Sequence, residues 1–273
     1  VFILASRDKS HIDRIKHIQA DIDSGDISRG WSQHKWRISS ILLPDSKVKN
    51  VEKYRLSDDE LAWVEAWEWF VQNIPNDNLP GFPIWSDQFK VKPEIPKDCP
   101  DWKENFLRKN SQFYNEHKAI LDRWKKMKWG KSQKTVSEFP PSRQLFEWQA
   151  KRAHPCREGR TLRDLVLQFR PSGIRVKPPT YLPALVAITQ TSVVGPEVKA
   201  GIREYRELTP QEAAELQCMP HDVFAASGID DKAAYKQLGN AVNVGVVRYL
   251  ANRLINPEAA VRGQQKLRLN FDR

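Results

Sequence analysis

"AYKQLGNAVNVGVVRYLANRLI" runs from Ala234 to Ile255. A Gly239-Asn240 pair precedes a segment that is apolar on nearly every side, where a surface helix would carry a polar face. The pattern predicts a tight turn leading into a buried helix, with an amide side chain at its mouth. Asn240 can satisfy its own backbone at such a turn, or offer a donor and an acceptor to a ligand. Upstream lies "LTPQEAAELQCMP" (Leu208–Pro220). Thr209 is placed to cap a helix, Pro210 suits its first position and Glu212 follows three residues after the cap.

The bulk numbers frame this region. The chain has 273 residues, 40% of them hydrophobic and 29% charged, which suits one large or two ordinary globular domains. No apolar run reaches the roughly 18–20 residues of a membrane helix, and "VFILAS" is too short and lacks the basic flank of a signal peptide. Val1 is read as an interior residue of a longer protein or the start of a processed chain. Cys99, Cys156 and Cys218 are odd in number and form no CxxC pair, which argues against a disulfide framework or a zinc site and for a reducing compartment. No metal site is expected.

Charge is unevenly spread. Residues 1–100 hold 14 basic and 16 acidic side chains, residues 101–200 hold 20 and 9, and residues 201–273 hold 10 and 9. A basic zone on a near-neutral body is the footprint of a polyanion binder, although a solvated basic surface has the same composition.

Along the chain, "VFILAS" reads as a buried strand and residues 10–24 as a polar helix ended by Gly25 and Gly30. "YRLSDDELAWVEAWEWFVQNI" (54–74) is the clearest helix, with Ser57 and Glu60 spaced as a capping box and its tryptophans packing inward. Residues 75–100 carry six prolines and read as irregular but ordered, with "GFPIW" pinned by its aromatics. "DWKENFLRKNSQFYNEHKAILDRWKKMKW" (101–129) reads as one long helix. Its core side is Trp102, Phe106, Phe113, Ile120, Leu121 and Trp124, and lysines and arginines crowd the remainder. Residues 130–160, with "EFPPSR", read as loop. "TLRDLVLQFRPSGIRV" (161–176) and "TYLPALVAITQTSVVG" (180–195) read as strands. There is no G-x-S-x-G, P-loop or HExxH, and no paired carboxylates in a convincing setting.

Taken together, R-x-L-T-P-x-E-A-A-x-L-Q-x-x-P from Arg206, then Y-K-Q-L-G-N-A-V from Tyr235, then an apolar helix, resembles the ninth and tenth motifs at the C-terminal end of DNA (cytosine-5) methyltransferases. The resemblance implies that Asn240, Ala241 and Val242 lie on the S-adenosylmethionine side of the turn. It implies that the following helix packs on the sheet of a Rossmann-like catalytic domain. "VFILASR" is similar to the strand after the family's eighth motif. The implied fold is α+β: residues 1–10 end the catalytic-domain strand, and residues 11–200 form a mixed target recognition domain. Residues 201–256 complete the methyltransferase domain, and residues 257–273 form a polar tail.

The sequence departs from the family pattern in two places. Ala184-Leu185 stands where a Thr-Leu pair is usual, and Cys218 stands where Gly is common. The family's nucleophile sits in a Pro-Cys-Gln stretch. Pro155-Cys156 in "AHPCREGR" lacks the Gln and the companion Glu-Asn-Val segment, so no catalytic residue is assigned in this chain. The implied partners are double-stranded DNA and an N-terminal catalytic half, in the same polypeptide or a separate subunit, in prokaryotic cytoplasm at the nucleoid. Arg163, Arg170, Arg175, Lys177, Thr189, Gln190 and Thr191 are the candidate DNA contacts, since Arg and Gln suit bidentate pairing with G and A edges. A stand-alone DNA-binding module and an inert interaction subunit are the alternatives.

Overall fold

Ser57 opens helix α2 (Asp58–Asn73) as the capping-box spacing predicts. The Glu60 amide donates to Ser57 Oγ at 3.4 Å and the Ser57 amide to Glu60 Oε2 at 2.9 Å, so two otherwise orphaned donors are satisfied. From this helix the architecture of the computed structural model can be followed outward. The structure describes residues 11–23, 37–75, 79–150, 160–180, 182, 185, 192–220, 222–224 and 228–255. The strand expected in "VFILAS" lies outside them.

The chain divides into two compact units, residues 1–42 with 184–189 and 210–273, and residues 43–183 with 190–209. The second unit holds a six-stranded mixed sheet. Its strands are β1 (Ile84–Trp85), β2 (Leu145–Trp148), β3 (Val166–Arg170), β4 (Gly173–Lys177), β5 (Ser192–Val194) and β6 (Arg206–Glu207), in the order β1-β2-β4-β3-β5-β6. β2 and β4 are parallel and the other pairs are antiparallel. Helices α2, α3 (Asp101–Glu116) and α4 (Lys118–Lys126) supply the helical side of its core.

Trp67 is the centre of that core. Its ring stacks on Phe146 of β2 at 4.4 Å and lies 4.8 Å from Trp124 of α4. Its indole N–H donates to the Arg143 carbonyl at 3.0 Å, and that of Trp124 to the Ala66 carbonyl at 2.7 Å. Both rings are fully buried with their one polar atom paired. The proline-rich segment is held by more than aromatics. Asn110 on α3 is buried, accepts from the Trp85 amide at 2.8 Å and donates to the carbonyls of Pro83 and Phe106.

Three expectations are corrected here. The helix expected over 101–129 is two helices, broken at His117 (φ −121°, ψ 24°). The apolar spacing runs on across the break, which is why the pattern hides it. Trp102 is 61% exposed rather than on the core side; it lies in the first turn of α3, where its ring meets Phe106 edge-on. Residues 130–160 contain β2, a short strand whose parallel partner β4 lies far along the chain.

The first unit is helical where described: α1 (His11–Asp23), α5 (Pro210–Leu216), α6 (Asp231–Asn240) and α7 (Val244–Ile255). Ala213, Ala214 and Leu238 form a small core joined by Leu185, Met219, Phe224 and Tyr235. α1 lies against α7, where the Arg14 guanidinium donates to the Leu254 and Ile255 carbonyls at 2.9 and 3.2 Å. No described helix is long and apolar enough to cross a membrane.

Candidate functional site

The α6–α7 turn differs from the one the sequence suggests. Gly239 and Asn240 are the last residues of α6, not a turn outside it. The bend falls on Ala241–Asn243. The residue that caps α7 is Asn243: its Oδ1 accepts from the Val246 amide at 3.1 Å, and its Nδ2 donates to the Leu216 carbonyl at 2.9 Å. The Val244 amide donates to the Gln217 carbonyl at 2.9 Å. Asn243 therefore does the structural work and leaves the Asn240 side chain exposed at the mouth. Its signal in the sequence was an N-cap residue type directly before the apolar run. The Ala241 amide is taken by the Gln237 and Leu238 carbonyls, and Val242 is 59% exposed. Asn240 and Val242 can thus form one wall of a ligand site: an amide for hydrogen bonding beside an apolar surface.

The helix after the turn is not enclosed by the described residues. Leu250 is buried, but Val246, Val247 and Ile255 are exposed. This corrects the expectation of a buried helix. α1 covers one side of α7 and the other apolar side meets solvent.

Cys218 closes α5 in the left-handed region, with φ 56°. The Met219 amide bonds to the Ala214 carbonyl at 3.0 Å and the Cys218 amide to the Glu215 carbonyl at 2.9 Å, the paired bonds of a Schellman motif. Glycine fits this position without steric cost. The sulfur also lies where a Cβ on Gly245 would come within 2.8 Å of it. Cys218→Gly is expected to stabilise the protein by roughly 1 kcal/mol by relieving the left-handed backbone. A thermal melt checks this, and a lower melting temperature would show that the sulfur's packing outweighs the strain.

In the second unit, strand alternation sorts the candidate DNA contacts. Leu167 and Phe169 of β3 and Ile174 and Val176 of β4 face the helical core. The opposite face carries Val166, Gln168 and Arg170 from β3, and Arg175 and Lys177 from β4, with Gln168 opposite Arg175 and Arg170 opposite Gly173; Val166 and Gln168 are buried, while Arg170, Arg175 and Lys177 are partly exposed. Glu147 and Ser192 extend the same row on β2 and β5. Arg175 Nε donates to Glu147 Oε2 at 2.8 Å. One carboxylate faces three cations. Burial, and then repulsion from Arg175 with Arg170 behind it, holds the Lys177 ammonium below the usual lysine range. Nη1 of Arg170 is buried without a hydrogen-bond partner.

The fold therefore brings Arg170, Arg175 and Lys177 together. Arg163 precedes β3 and is paired instead with Glu197 at 2.6 Å. Thr189, Gln190 and Thr191 lie outside the described residues, as does Cys156. Gln168 alternates with the apolar positions of "VLQFR" and shares this face, but it is buried. Arg143 was missed. Its guanidinium lies 5.0 Å from the Trp63 ring and 5.3 Å from that of Phe169, and donates to the Arg170 carbonyl at 2.8 Å, bracing the end of the β3–β4 hairpin.

The Cys99 thiol contacts the Pro100 carbonyl, and the Cys218 sulfur sits beside Gly245. Among the described residues no group of three His, Cys, Asp or Glu side chains is arranged to hold a metal.

Comparison with known proteins agrees with the C-terminal motifs. The sequence model of the C-5 cytosine-specific DNA methylase family matches residues 30–256. The chain is 34% identical over 283 aligned positions to the type II methyltransferase M.AluI of Cellulosimicrobium cellulans, an alignment covering 87% of this chain and 50% of that protein. The chain thus spans about half the length of the curated relative it matches. No solved structure matches it. With most of its length inside the family match, and with the paired motifs at Arg206–Pro220 and Tyr235–Val242, the chain belongs to the C-5 cytosine-specific DNA methylase family.

Proposed function

We propose that this chain is the C-terminal, DNA-recognising portion of a DNA cytosine-5 methyltransferase of a restriction-modification system. The observation that carries the reading is the cationic part of the sheet face, where the partly exposed Arg170, Arg175 and Lys177 project from two adjacent strands. The arginines there suit base edges in the major groove, and Lys177 suits a phosphate. Residues 11–200 are assigned to target recognition. Residues 1–10 and 201–256 are assigned to the Rossmann-like catalytic domain.

At the α6–α7 turn, Asn240 and Val242, with Ala241 between them, would form one wall of the S-adenosylmethionine pocket. The cofactor supplies an electrophilic methyl group when bound. The chain's own contribution is to hold the duplex, choose the sequence and keep that wall in place through Asn243 and Gln217. The cysteine thiolate that attacks C6 of the extruded cytosine is assigned to an N-terminal half. The exposed apolar side of α7, with Val242, supports an absent covering surface.

The test is methyl transfer from labelled S-adenosylmethionine to DNA, with this chain alone and with a matching N-terminal half supplied in trans. Activity only with the added half is expected. Activity from this chain alone would return the nucleophile to Cys156. DNA affinity with no activity in either arrangement would favour a stand-alone binding module.

Base reading and phosphate holding separate by mutation. Arg175→Ala is expected to cost about 1–3 kcal/mol against the preferred base pair and to relax preference at that position. Lys177→Gln is expected to weaken all duplexes alike and lower the salt slope by about 1. Anisotropy titrations with preferred and scrambled duplexes check both. Equal losses on the two duplexes for Arg175→Ala would remove it from base reading.

A further inference from the structure

The basic side chains around α4 are not used by the sheet face. Residues 118–134 contain seven lysines and arginines and a single acid, Asp122. The acids within reach are already engaged. Lys131 pairs with Asp58 at 3.0 Å, Lys134 with Asp59 at 2.7 Å, and Lys118 with Asp122. Asp122 also accepts from the Tyr114 hydroxyl, and Glu138 accepts from the Thr135 amide and hydroxyl. Among the described residues Arg123, Lys125, Lys126 and Lys128 make no direct ion pair, although Lys126 acts on Asp122 and Lys128 on Glu138 at longer range. Three of them are exposed and Lys125 is half-buried.

A helix C-terminus offers about half a negative charge, which offsets only a fraction of four cations. The remainder repel one another unless a polyanion is present. The support beneath them is stiff. Leu121 and Trp124 fix the inner side of α4 in the core, and the Arg123 guanidinium lies 5.8 Å from the Trp69 ring, which itself tilts against Trp129. From Arg123 to Lys128 the chain advances about 10 Å. A DNA duplex carries about six charges over that length. The two charge densities are of the same order.

The ridge is not a continuation of the base-reading face. Trp124 packs on Trp67, which stacks on Phe146, and Phe146 occupies the opposite side of β2 from Glu147 and its partner Arg175. A straight duplex lying on the polar sheet face would not also lie on α4.

We propose that Arg123, Lys125, Lys126 and Lys128 form a second, sequence-independent surface for duplex DNA phosphates. It would hold a neighbouring or flanking stretch of duplex while the sheet face reads the target. The choice of duplex DNA as the polyanion rests on the DNA-methylase reading; the charge argument does not.

The test uses the full chain and a scrambled duplex lacking any preferred site, titrated over a salt series. Replacing all four residues with Gln is expected to lower the log affinity–log salt slope by about 3 to 4. Preference between preferred and scrambled duplexes should be unchanged. A companion carrying Arg at all four positions should keep the wild-type slope, and circular dichroism should show α4 intact in both. An unchanged slope in the Gln variant would overturn the proposal. So would a wild-type chain that binds no scrambled duplex, or that prefers single-stranded RNA at equal nucleotide concentration. If methyl transfer in trans succeeds while the slope is unchanged, this inference alone fails. If the slope falls but neither sequence preference nor methyl transfer appears, the ridge stands and the methyltransferase reading fails.

Discussion

Trp67→Ala is expected to destabilise the second unit by about 3–5 kcal/mol. The indole is fully buried and touches three elements at once: Phe146 on β2, Trp124 on α4 and Phe70 on its own helix. Truncation leaves a cavity that these large rings cannot collapse to fill, and it orphans the Arg143 carbonyl that accepts the indole N–H. Trp67→Phe should cost less, because most of the apolar volume stays and only the hydrogen bond and part of the ring are lost. Domains of this size are stable by only about 5–15 kcal/mol, so the alanine variant should show a large unfolded fraction in modest urea. Urea titration followed by far-ultraviolet circular dichroism reads both variants. Equal losses for Phe and Ala would mean that the hydrogen bond, not the packing, dominates.

Asp45→Asn is expected to cost about 1.5–3 kcal/mol, because three charge-assisted or buried hydrogen bonds lose their anionic acceptor. Asp45 is nearly buried. Its Oδ1 accepts from Arg206 Nε at 3.3 Å, and its Oδ2 accepts from Arg55 Nη2 and the Arg203 amide, both at 3.1 Å. Arg206 has no exposed surface, and it also donates to the carbonyls of Leu43 and Glu207. Neutralising Asp45 takes one counter-charge from that buried guanidinium. Arg55 keeps Glu52 and Glu204, 3.0 and 3.3 Å from it. A double variant, Asp45→Leu with Arg206→Met, should lose less than the sum of the two single losses, since the residues share one contact. Fully additive losses would show that their hydrogen bonds to the 43–55 segment, not the shared contact, carry the stability. Arg206 opens the ninth-motif resemblance, and its role in this fold is to tie the edge strand β6 to that segment.

Local chemistry was legible wherever the deciding interactions are close in the chain. Ser57 and Glu60 announce the start of α2 because a capping box closes within four residues. Pro210 announces α5, and "VLQFRPSGIRV" announces strand structure, which the fold realises as β3 and β4 paired across a two-residue connection. The paired motifs near the C-terminus named the family, and Arg170, Arg175 and Lys177 were identified as cations of interest.

What those cations can do was decided by pairings the chain order hides. Arg163 is drawn off by Glu197, while Arg175 meets Glu147 only because β2 runs parallel to β4. The same holds for the ridge, where Asp58 and Asp59, on a different helix, pair with Lys131 and Lys134 and not with the cations of α4. The break at His117, the exposure of Trp102 and the open side of α7 likewise depend on which surfaces are covered. Helix caps, hairpins and motif spacing are short-range, set by backbone dihedrals and hydrogen bonds among near neighbours. Burial and charge compensation are sums over partners far apart in sequence, and only the tertiary structure fixes who those partners are.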